Sequence, residues 1–248
     1  GPYAVLTVSD PGGPRPAAGQ FYMLAAAERW GGGEGERPFL PRAFSVLRAP
    51  RGTDELQFLV ENVGPGTERL CELGLSDELL LVGPLGNRFR PSREGRRPVL
   101  VGGGVGIAPL TICQEALTPG APALLGFRDG ARAHGRVLLT DAHVATDDGS
   151  VGHHGPVTDL LAAEMSDRDG DIEVYACGPP GMLEAVRALC AECEVPAQLA
   201  LESGMACGFG ACFGCAVPTR QGYVRLCLEG PVLDADRFDS VLFPGAGH

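Results

Sequence analysis

Pro98-Val-Leu-Val-Gly-Gly-Gly-Val-Gly-Ile-Ala-Pro109 divides this sequence into two regimes. Pro98–Val101 is a continuous apolar run, the pattern of a strand buried on both faces. Gly102, Gly104 and Gly106 follow, and Ala108–Leu117 reads as a helix. Strand and helix signals then alternate. Ala123–Phe127 and Arg136–Thr140 read as strands, Thr158–Glu164 as a helix, Ile172–Ala176 as a strand and Gly181–Glu194 as a helix. In that last helix Leu183, Val186, Leu189, Cys190 and Cys193 fall on one face. The alternation predicts a parallel, doubly wound α/β sheet, assigned to residues 95–196.

Upstream of the glycine loop the rhythm is that of short strands. Tyr3–Val8, Gln20–Ala27, Ala43–Leu47, Leu56–Glu61 and Glu78–Val82 are separated by Gly- and Pro-bearing turns, with a helix near Thr67–Leu73. This predicts a β-barrel or sandwich over residues 1–94. A closed barrel would take one more strand, expected upstream of Gly1. Gly31–Arg37 is expected to be a loop. Periodicity is expected to stop after Pro196, leaving residues 197–248 as a small cysteine-rich third domain ordered by a metal centre.

The chain has 248 residues and a net charge of −11, and all 20 of its basic residues are arginine. That balance argues against sequence-independent nucleic-acid binding, which needs a basic footprint. No apolar run reaches the roughly 18 residues of a membrane span. No basic segment followed by an apolar one opens the chain, so a cytoplasmic location is expected.

Nine cysteines are present, and four crowd together as Cys207-Gly-Phe-Gly-Ala-Cys212-Phe-Gly-Cys215 and, eleven residues on, Cys227. The spacing is that of plant-type 2Fe-2S ferredoxins. Three ligands in one loop can wrap a compact cluster while backbone N–H groups point at its sulfurs. Gly204, Gly208, Gly210 and Gly214 permit that close approach. A Zn(Cys)4 knuckle or disulfides are the alternatives, although zinc sites usually show two matched C-x2–4-C pairs. Cys71, Cys113, Cys190 and Cys193 read as small core residues.

Gly102, Gly104 and Gly106 leave room for a pyrophosphate at a helix N-terminus, where free N–H groups favour anions. The regular G-x-G-x-x-G fingerprint is absent, because Pro109 stands where its third glycine would fall. A tight strand–helix turn is therefore the competing reading. Cys177-Gly178-Pro179 ends a second strand, and two such units define a ligand crevice in which a thiol can sit beside a nicotinamide ring. A buried packing role is the alternative for Cys177. The acidic stretch Thr146–Ser150 would accept ribose hydroxyls and repel a 2′-phosphate, which leans towards NAD over NADP, unless it is only an exposed turn. His153 and His154 are assigned no role. In the β-region, Arg42-Ala43-Phe44-Ser45 offers a cation for a pyrophosphate and a hydroxyl for a flavin ring, and Gly64-Pro-Gly66-Thr67 opens a helix. Taken singly, each reads more readily as a surface arginine or a common helix start.

Together these motifs resemble the iron–sulfur flavoprotein electron-transfer subunits of bacterial type B dihydroorotate dehydrogenases, in the ferredoxin–NADP reductase superfamily. The resemblance rests on Arg42–Ser45, Gly66-Thr67, Gly83-Pro-Leu-Gly-Asn87, Val101–Pro109, Ala145–Ser150, Tyr175-Ala-Cys-Gly-Pro179, Met205–Cys212 and Cys227–Val232, and spans nearly the whole chain. It implies FAD in the barrel, NAD on the α/β domain, a 2Fe-2S cluster in the tail, and an FMN-containing catalytic partner in an assembly of two of each. It implies FAD contacts at Arg42, Ala43, Phe44, Ser45, Gly66 and Thr67, with Leu59, Val60 and Glu61 beside them. Ala43 departs from the family's proline, which leaves that loop less pre-set in φ. Dihydroorotate would be oxidised on the partner, its electrons passing from FMN through the cluster to FAD and then to NAD⁺ as hydride. No catalytic acid or base is expected in this chain. Phe209, Phe213, Met205 and Leu226 would cover the cluster or face the partner, or simply pack within the tail. The rival readings are another reductase subunit of the superfamily, and a regulatory subunit with a zinc-stabilised tail.

Overall fold

The computed structural model describes residues 1–31, 38–117, 121–167 and 171–246. The expected loop therefore lies, past Gly31, outside the described residues.

The first part holds β1 (Tyr3–Ser9), β2 (Phe21–Ala26), β3 (Arg42–Arg48), β4 (Glu55–Glu61), α1 (Pro65–Cys71) and β5 (Leu79–Leu85). Its five strands form an antiparallel sheet in the order β1-β4-β3-β2-β5. It is the expected barrel unit, open between β1 and β5 among the described residues. All six residues of β2 are buried, because its two faces meet different partners. Tyr22 and Leu24 point into the core of the first unit, whereas Phe21 and Met23 join a cluster containing Cys215, Leu226 and Cys227 of the tail. Period-two alternation thus seats the tail on the outer face of β2.

The second part holds β6 (Arg97–Gly103), α2 (Ile107–Ala116), β7 (Ala123–Phe127), β8 (Ala142–Thr146), β9 (His153–His154), α3 (Val157–Asp167), β10 (Ile172–Cys177), α4 (Pro180–Glu192) and β11 (Ala197–Ala200). The tail adds β12 (Ala216–Thr219), β13 (Gly222–Arg225) and β14 (Val232–Asp234). Seven strands form one sheet in the order β14-β11-β10-β6-β7-β8-β9, parallel except for β14, while β12 and β13 form a hairpin. In α2, Ile107 through Cys113 are all buried, so its first two turns have no solvent stripe. It is sandwiched between β6 and β3, and Ile107 and Leu110 share a core with Leu47 and Phe58. Truncating Leu110 to alanine would cost roughly 2–5 kcal/mol and loosen both units together.

Polar contacts pin the stretch that joins the two units and the start of the tail. Glu173 is buried in β10, where it accepts the Arg93 N–H (2.7 Å) and the Gln198 amide (3.0 Å). Gln198 also accepts the Arg90 N–H at 2.9 Å. Asn87 donates to the carbonyls of Glu229 (2.9 Å) and Val232 (2.7 Å) and accepts the Val232 N–H, so the Gly83–Asn87 motif clamps the tail.

Several expectations are corrected. Arg136–Thr140 is not a strand. Residues 132–138 form 3-10 turns, and the strand is Ala142–Thr146. Val137 is 77% exposed, and the Gln114 side chain bonds both backbone groups of Thr140, so that segment has no ladder to join. Regular structure does not stop at Pro196. Ala197–Ala200 is wholly buried and continues the parallel sheet, and β14 pairs with it. The three-domain division at 94/95 and 196/197 thus remains a proposal, with its third part lending two strands to the second. Cys71 and Cys193 are exposed, whereas Cys113 and Cys190 are buried as expected. Cys193 caps the end of α4 and leaves the apolar face there. Among the described residues no helix is long and apolar enough to cross a membrane.

Candidate functional site

Arg42 opens β3, and Gly66 lies in the first turn of α1. The two motifs converge. A Cβ on Gly66 would sit 2.9 Å from Arg42 Nε, so the guanidinium lies flat against the glycine. Arg42 donates to the Leu40 carbonyl at 2.5 Å and lies 5.8 Å over the Trp30 ring, which holds a cation at the start of β3. Ser45 stands opposite Phe21, Phe44 opposite Tyr22 and Ala43 opposite Met23. Ala43 is exposed, whereas Phe44 and Ser45 are half-buried. The Thr67 hydroxyl accepts the N–H groups of Val63 (2.9 Å) and Gly64 (3.1 Å) and donates to the Gly64 carbonyl, so it shapes the turn. Leu59 and Val60 have core side chains. Glu61, at the end of β4, pairs with Arg132 at 3.0 Å across to the second unit. A pinned guanidinium beside a glycine turn and a hydroxyl-bearing strand is a donor set that suits a flavin dinucleotide.

At the carboxyl ends of the parallel strands lies a cleft of about 650 Å³, where a doubly wound sheet binds ligands. Gly104, Gly106, Gly178 and Pro179 line it. Gly104 adopts φ +55 with open space above it, a conformation that favours glycine. Two expected residues play other parts. A Cβ on Gly102 would press on Leu110 (2.9 Å) and Leu125 (3.2 Å), so Gly102 serves strand–helix packing. The Cys177 side chain is buried at 1% exposure, and burial, with Glu202 nearby, pushes its thiol well above the usual range. The Cys177 backbone, not its sulfur, forms the support for Gly106. Asp147 lines the cleft, and Asp148 is held below the usual carboxylate range by the Ser150 hydroxyl (2.6 Å) and N–H (2.9 Å). His153 pairs with Asp159 at 2.7 Å on the surface.

Arg128, Arg132 and Glu202 also line the cleft, and the sequence reading assigned none of them. The signal was there for Arg128 and Glu202: they follow β7 and β11 by one and two positions, where a parallel sheet opens its crevice. Glu202 reaches solvent at the cleft wall, yet the protein massed around it raises its carboxyl pKa. Arg132 is shared between Glu61 and Asp129, the latter at 2.8 Å.

The four tail cysteines gather two and two. Cys215 and Cys227 are buried with their sulfurs 3.2 Å apart. Two thiolates on one tetrahedral metal sit about 3.8 Å apart, given bonds of about 2.3 Å, so this pair needs little adjustment. Cys207 and Cys212, nearer the surface, form the second pair. Desolvation pushes the Cys207 thiol up, but the N–H groups of Cys212 and Phe209, the Cys212 thiol and the Ala211 N–H outweigh it and bring it down to about 6. The Gly214 N–H points at Cys212 Sγ from 3.4 Å. Gly208 (φ +80) and Gly210 (φ +86) turn the loop so that these groups converge. Two thiol pairs, one inner and one outer, are the ligand arrangement that a two-iron centre takes. Leu226 is fully buried and Met205 half-buried in the core of the tail, whereas Phe209 and Phe213 are 58% and 62% exposed beside the outer pair. The loop rests on the first unit: a Cβ on Gly208 would meet Met23 at 2.5 Å and Leu85 at 3.0 Å.

Comparison with known proteins agrees with this geometry. Residues 202–239 match the family model of the iron-sulfur cluster binding domain of dihydroorotate dehydrogenase B. A Clostridium acetobutylicum protein named dihydroorotate dehydrogenase B (NAD(+)), electron transfer subunit is 36% identical over 217 residues, covering 86% of this chain and 82% of the relative. Its namesake from Caldanaerobacter subterraneus subsp. tengcongensis is 35% identical over 230 residues, covering 90% and 87%. Among solved structures, an NADH-dependent reduced ferredoxin-NADP oxidoreductase superposes with a TM-score of 0.81 at 26% identity, covering 97% of this chain and 86% of that one. The ferredoxin reductase of carbazole 1,9a-dioxygenase, at 22% identity and a TM-score of 0.63 over 78% of this chain and 61% of its own, shares the fold. With such identity over more than four fifths of both sequences, this chain belongs to the family of dihydroorotate dehydrogenase B electron transfer subunits.

Proposed function

We propose that this chain is the NAD-linked electron-transfer subunit of a dihydroorotate dehydrogenase, an oxidoreductase of pyrimidine biosynthesis, working in the cytoplasm with an FMN-containing catalytic subunit in an assembly of two of each. When bound, its 2Fe-2S cluster, FAD and NAD⁺ supply the one-electron and hydride chemistry that carries electrons away from the partner.

The chain's own residues bind and orient. Cys207 and Cys212 would hold one iron, and Cys215 and Cys227 the other. Arg42 and the turn at Gly66 would take the FAD pyrophosphate, and Ser45 would bond the flavin ring. Ala43, Phe44, Leu59, Val60, Glu61 and Thr67 would shape that site. Gly104, Gly106, Gly178 and Pro179 would admit NAD(H), with Gly102 and Cys177 packing the loops from behind. Asp147 would accept the adenosine ribose hydroxyls and disfavour a 2′-phosphate.

One observation carries the reading: the cysteine loop lies on β2 and β5 of the unit that also presents Arg42, which keeps a cluster and a flavin close. The test is reconstitution with an FMN-binding dihydroorotate-oxidising subunit. Dihydroorotate-dependent reduction of NAD⁺ that needs both chains supports the reading. A chain that forms no complex and exchanges electrons between ferredoxin and NAD(P)H instead overturns it.

A further inference from the structure

Arg225 closes β13 just before Leu226 and Cys227, and its register partner Ala216 directly follows Cys215. The β12–β13 hairpin thus starts and ends beside the inner pair of cysteines. At its base the Leu226 N–H donates to the Cys215 carbonyl at 3.1 Å. From there the Arg225 side chain reaches across to the outer arm of the cysteine loop. Its Nη1 donates to the Gly210 carbonyl at 3.3 Å, and its guanidinium lies 4.9 Å over the Phe213 ring. Gly210 and Phe213 flank Cys212 in the chain. Phe213 has φ +60, a left-handed conformation that a bulky residue rarely adopts, and the cation over its ring helps to hold that turn.

Glu229 fixes this clamp from the other side. Its carboxylate accepts the Arg225 backbone N–H at 2.8 Å and Nη2 at 3.1 Å. A solvated ion pair would by itself be worth little. Here the arginine side chain is only 28% exposed and is also bonded to the loop, so the pair sets where the guanidinium sits. Charge on the Cys227 and Cys215 sulfurs acts on that guanidinium, whereas the Glu229 carboxyl is governed by Arg225 and backbone N–H groups. The ion pair therefore presents its positive end to the sulfurs.

We propose that Arg225 is a positioning residue for the cluster. It ties the arm that bears Cys212 to the hairpin that bears Cys215 and Cys227, and its fixed charge raises the potential at which the centre takes an electron. The proposal rests on a 2Fe-2S centre at the four cysteines. Accepting one electron from a reduced flavin adds one negative charge to that centre, and a cation held beside it stabilises the reduced form more than the oxidised one. Arginine does not deprotonate in proteins, so this bias is the same at any working pH.

The test is a redox titration of the anaerobically purified holoprotein, followed by the EPR signal of the reduced cluster, with iron and sulfide assayed in every sample. Wild type, Arg225→Gln and Arg225→Lys are compared. Arg225→Gln is expected to keep its iron and sulfide, yet to show a ratio of reduced to oxidised cluster about tenfold lower at a given potential, which for one electron is a midpoint lower by about 59 mV. Arg225→Lys keeps the charge but loses the planar fork, and its midpoint is expected to stay near that of wild type. Loss of iron from Arg225→Gln alone, with Arg225→Lys at the wild-type midpoint, also supports the proposal, because the charge is then what holds the arm. Equal midpoints in wild type and Arg225→Gln, a midpoint in Arg225→Lys shifted as far as in Arg225→Gln, or loss of iron from both variants overturns it. Wild-type protein without iron and sulfide would instead overturn the cluster reading on which it rests.

Discussion

Gly106 lies directly against the backbone of Cys177, where an added Cβ would come within 2.6 Å of both the carbonyl carbon and its oxygen. The turn after β6 and the turn after β10 are therefore one structure, held by contact between backbones. Neither side can yield by rotating a side chain. Gly106→Ala is expected to cost about 1–3 kcal/mol through overpacking and to splay the two turns. Stopped-flow reduction by NADH should show a raised KM with FAD still bound. Unchanged NADH kinetics would place the nicotinamide nucleotide elsewhere.

Arg42 and Gly66 make the corresponding pair on the flavin side. Removing the cation with Arg42→Ala should weaken FAD binding by about 10- to 100-fold, the worth of a charge-assisted hydrogen bond to a phosphate. Equilibrium dialysis of flavin reads this directly. Gly66→Ala should produce a smaller loss, because its Cβ displaces a guanidinium that can swing aside. Equal flavin retention in all three proteins would remove the pyrophosphate from this turn.

Asp147 lines the cleft, whereas Asp148 is turned back on Ser150. Asp147→Ser is therefore expected to lower the preference for NADH over NADPH about tenfold, and Asp148→Ser to change it little. The ratio of kcat/KM for the two nucleotides decides between them.

Glu202 carries a pH prediction. Its carboxyl pKa is raised above the ordinary 4.5 because the protein massed around it on the cleft wall desolvates the charged form, so the folded chain holds that proton more tightly than the unfolded one. Stability from this group is present below the ordinary carboxylate range and is lost as pH rises through the folded-state value. Glu202→Gln removes that loss. Its thermal midpoint should match wild type near about pH 5 and exceed it near about pH 8. A gap that closes with rising pH would reverse the assignment.

Much of this was legible in chain order, and the misses have physical causes. The five short strands, α2, α4 and the cysteine spacing could be read because each is a local pattern. Arg136–Thr140 was misread because the apolar run Val137-Leu-Leu does not alternate as a strand: Val137 faces outward while Leu138 and Leu139 pack on the core, and Gly135 is pressed against Ile107 and Tyr3 in a turn. Ala197–Ala200 was missed because four residues carry no period, and only the neighbouring β10 makes them a strand. Gly102 and Cys177 belong to the right motifs, but the roles of their side chains are set by Leu110, Leu125 and the burial of β10, none of which spacing reveals. Arg132 bridges Glu61 and Asp129 across two units, a relationship that exists only once the chain is folded.

The paired cysteines decide the account most directly. Iron, acid-labile sulfide and zinc should be measured in anaerobically purified protein, for wild type and for Cys212→Ser. The pairing of Cys207 with Cys212 and of Cys215 with Cys227 predicts about two irons and two sulfides per wild-type chain, falling sharply in the variant. A single zinc without sulfide, or iron and sulfide unchanged when Cys212 is replaced, would contradict it.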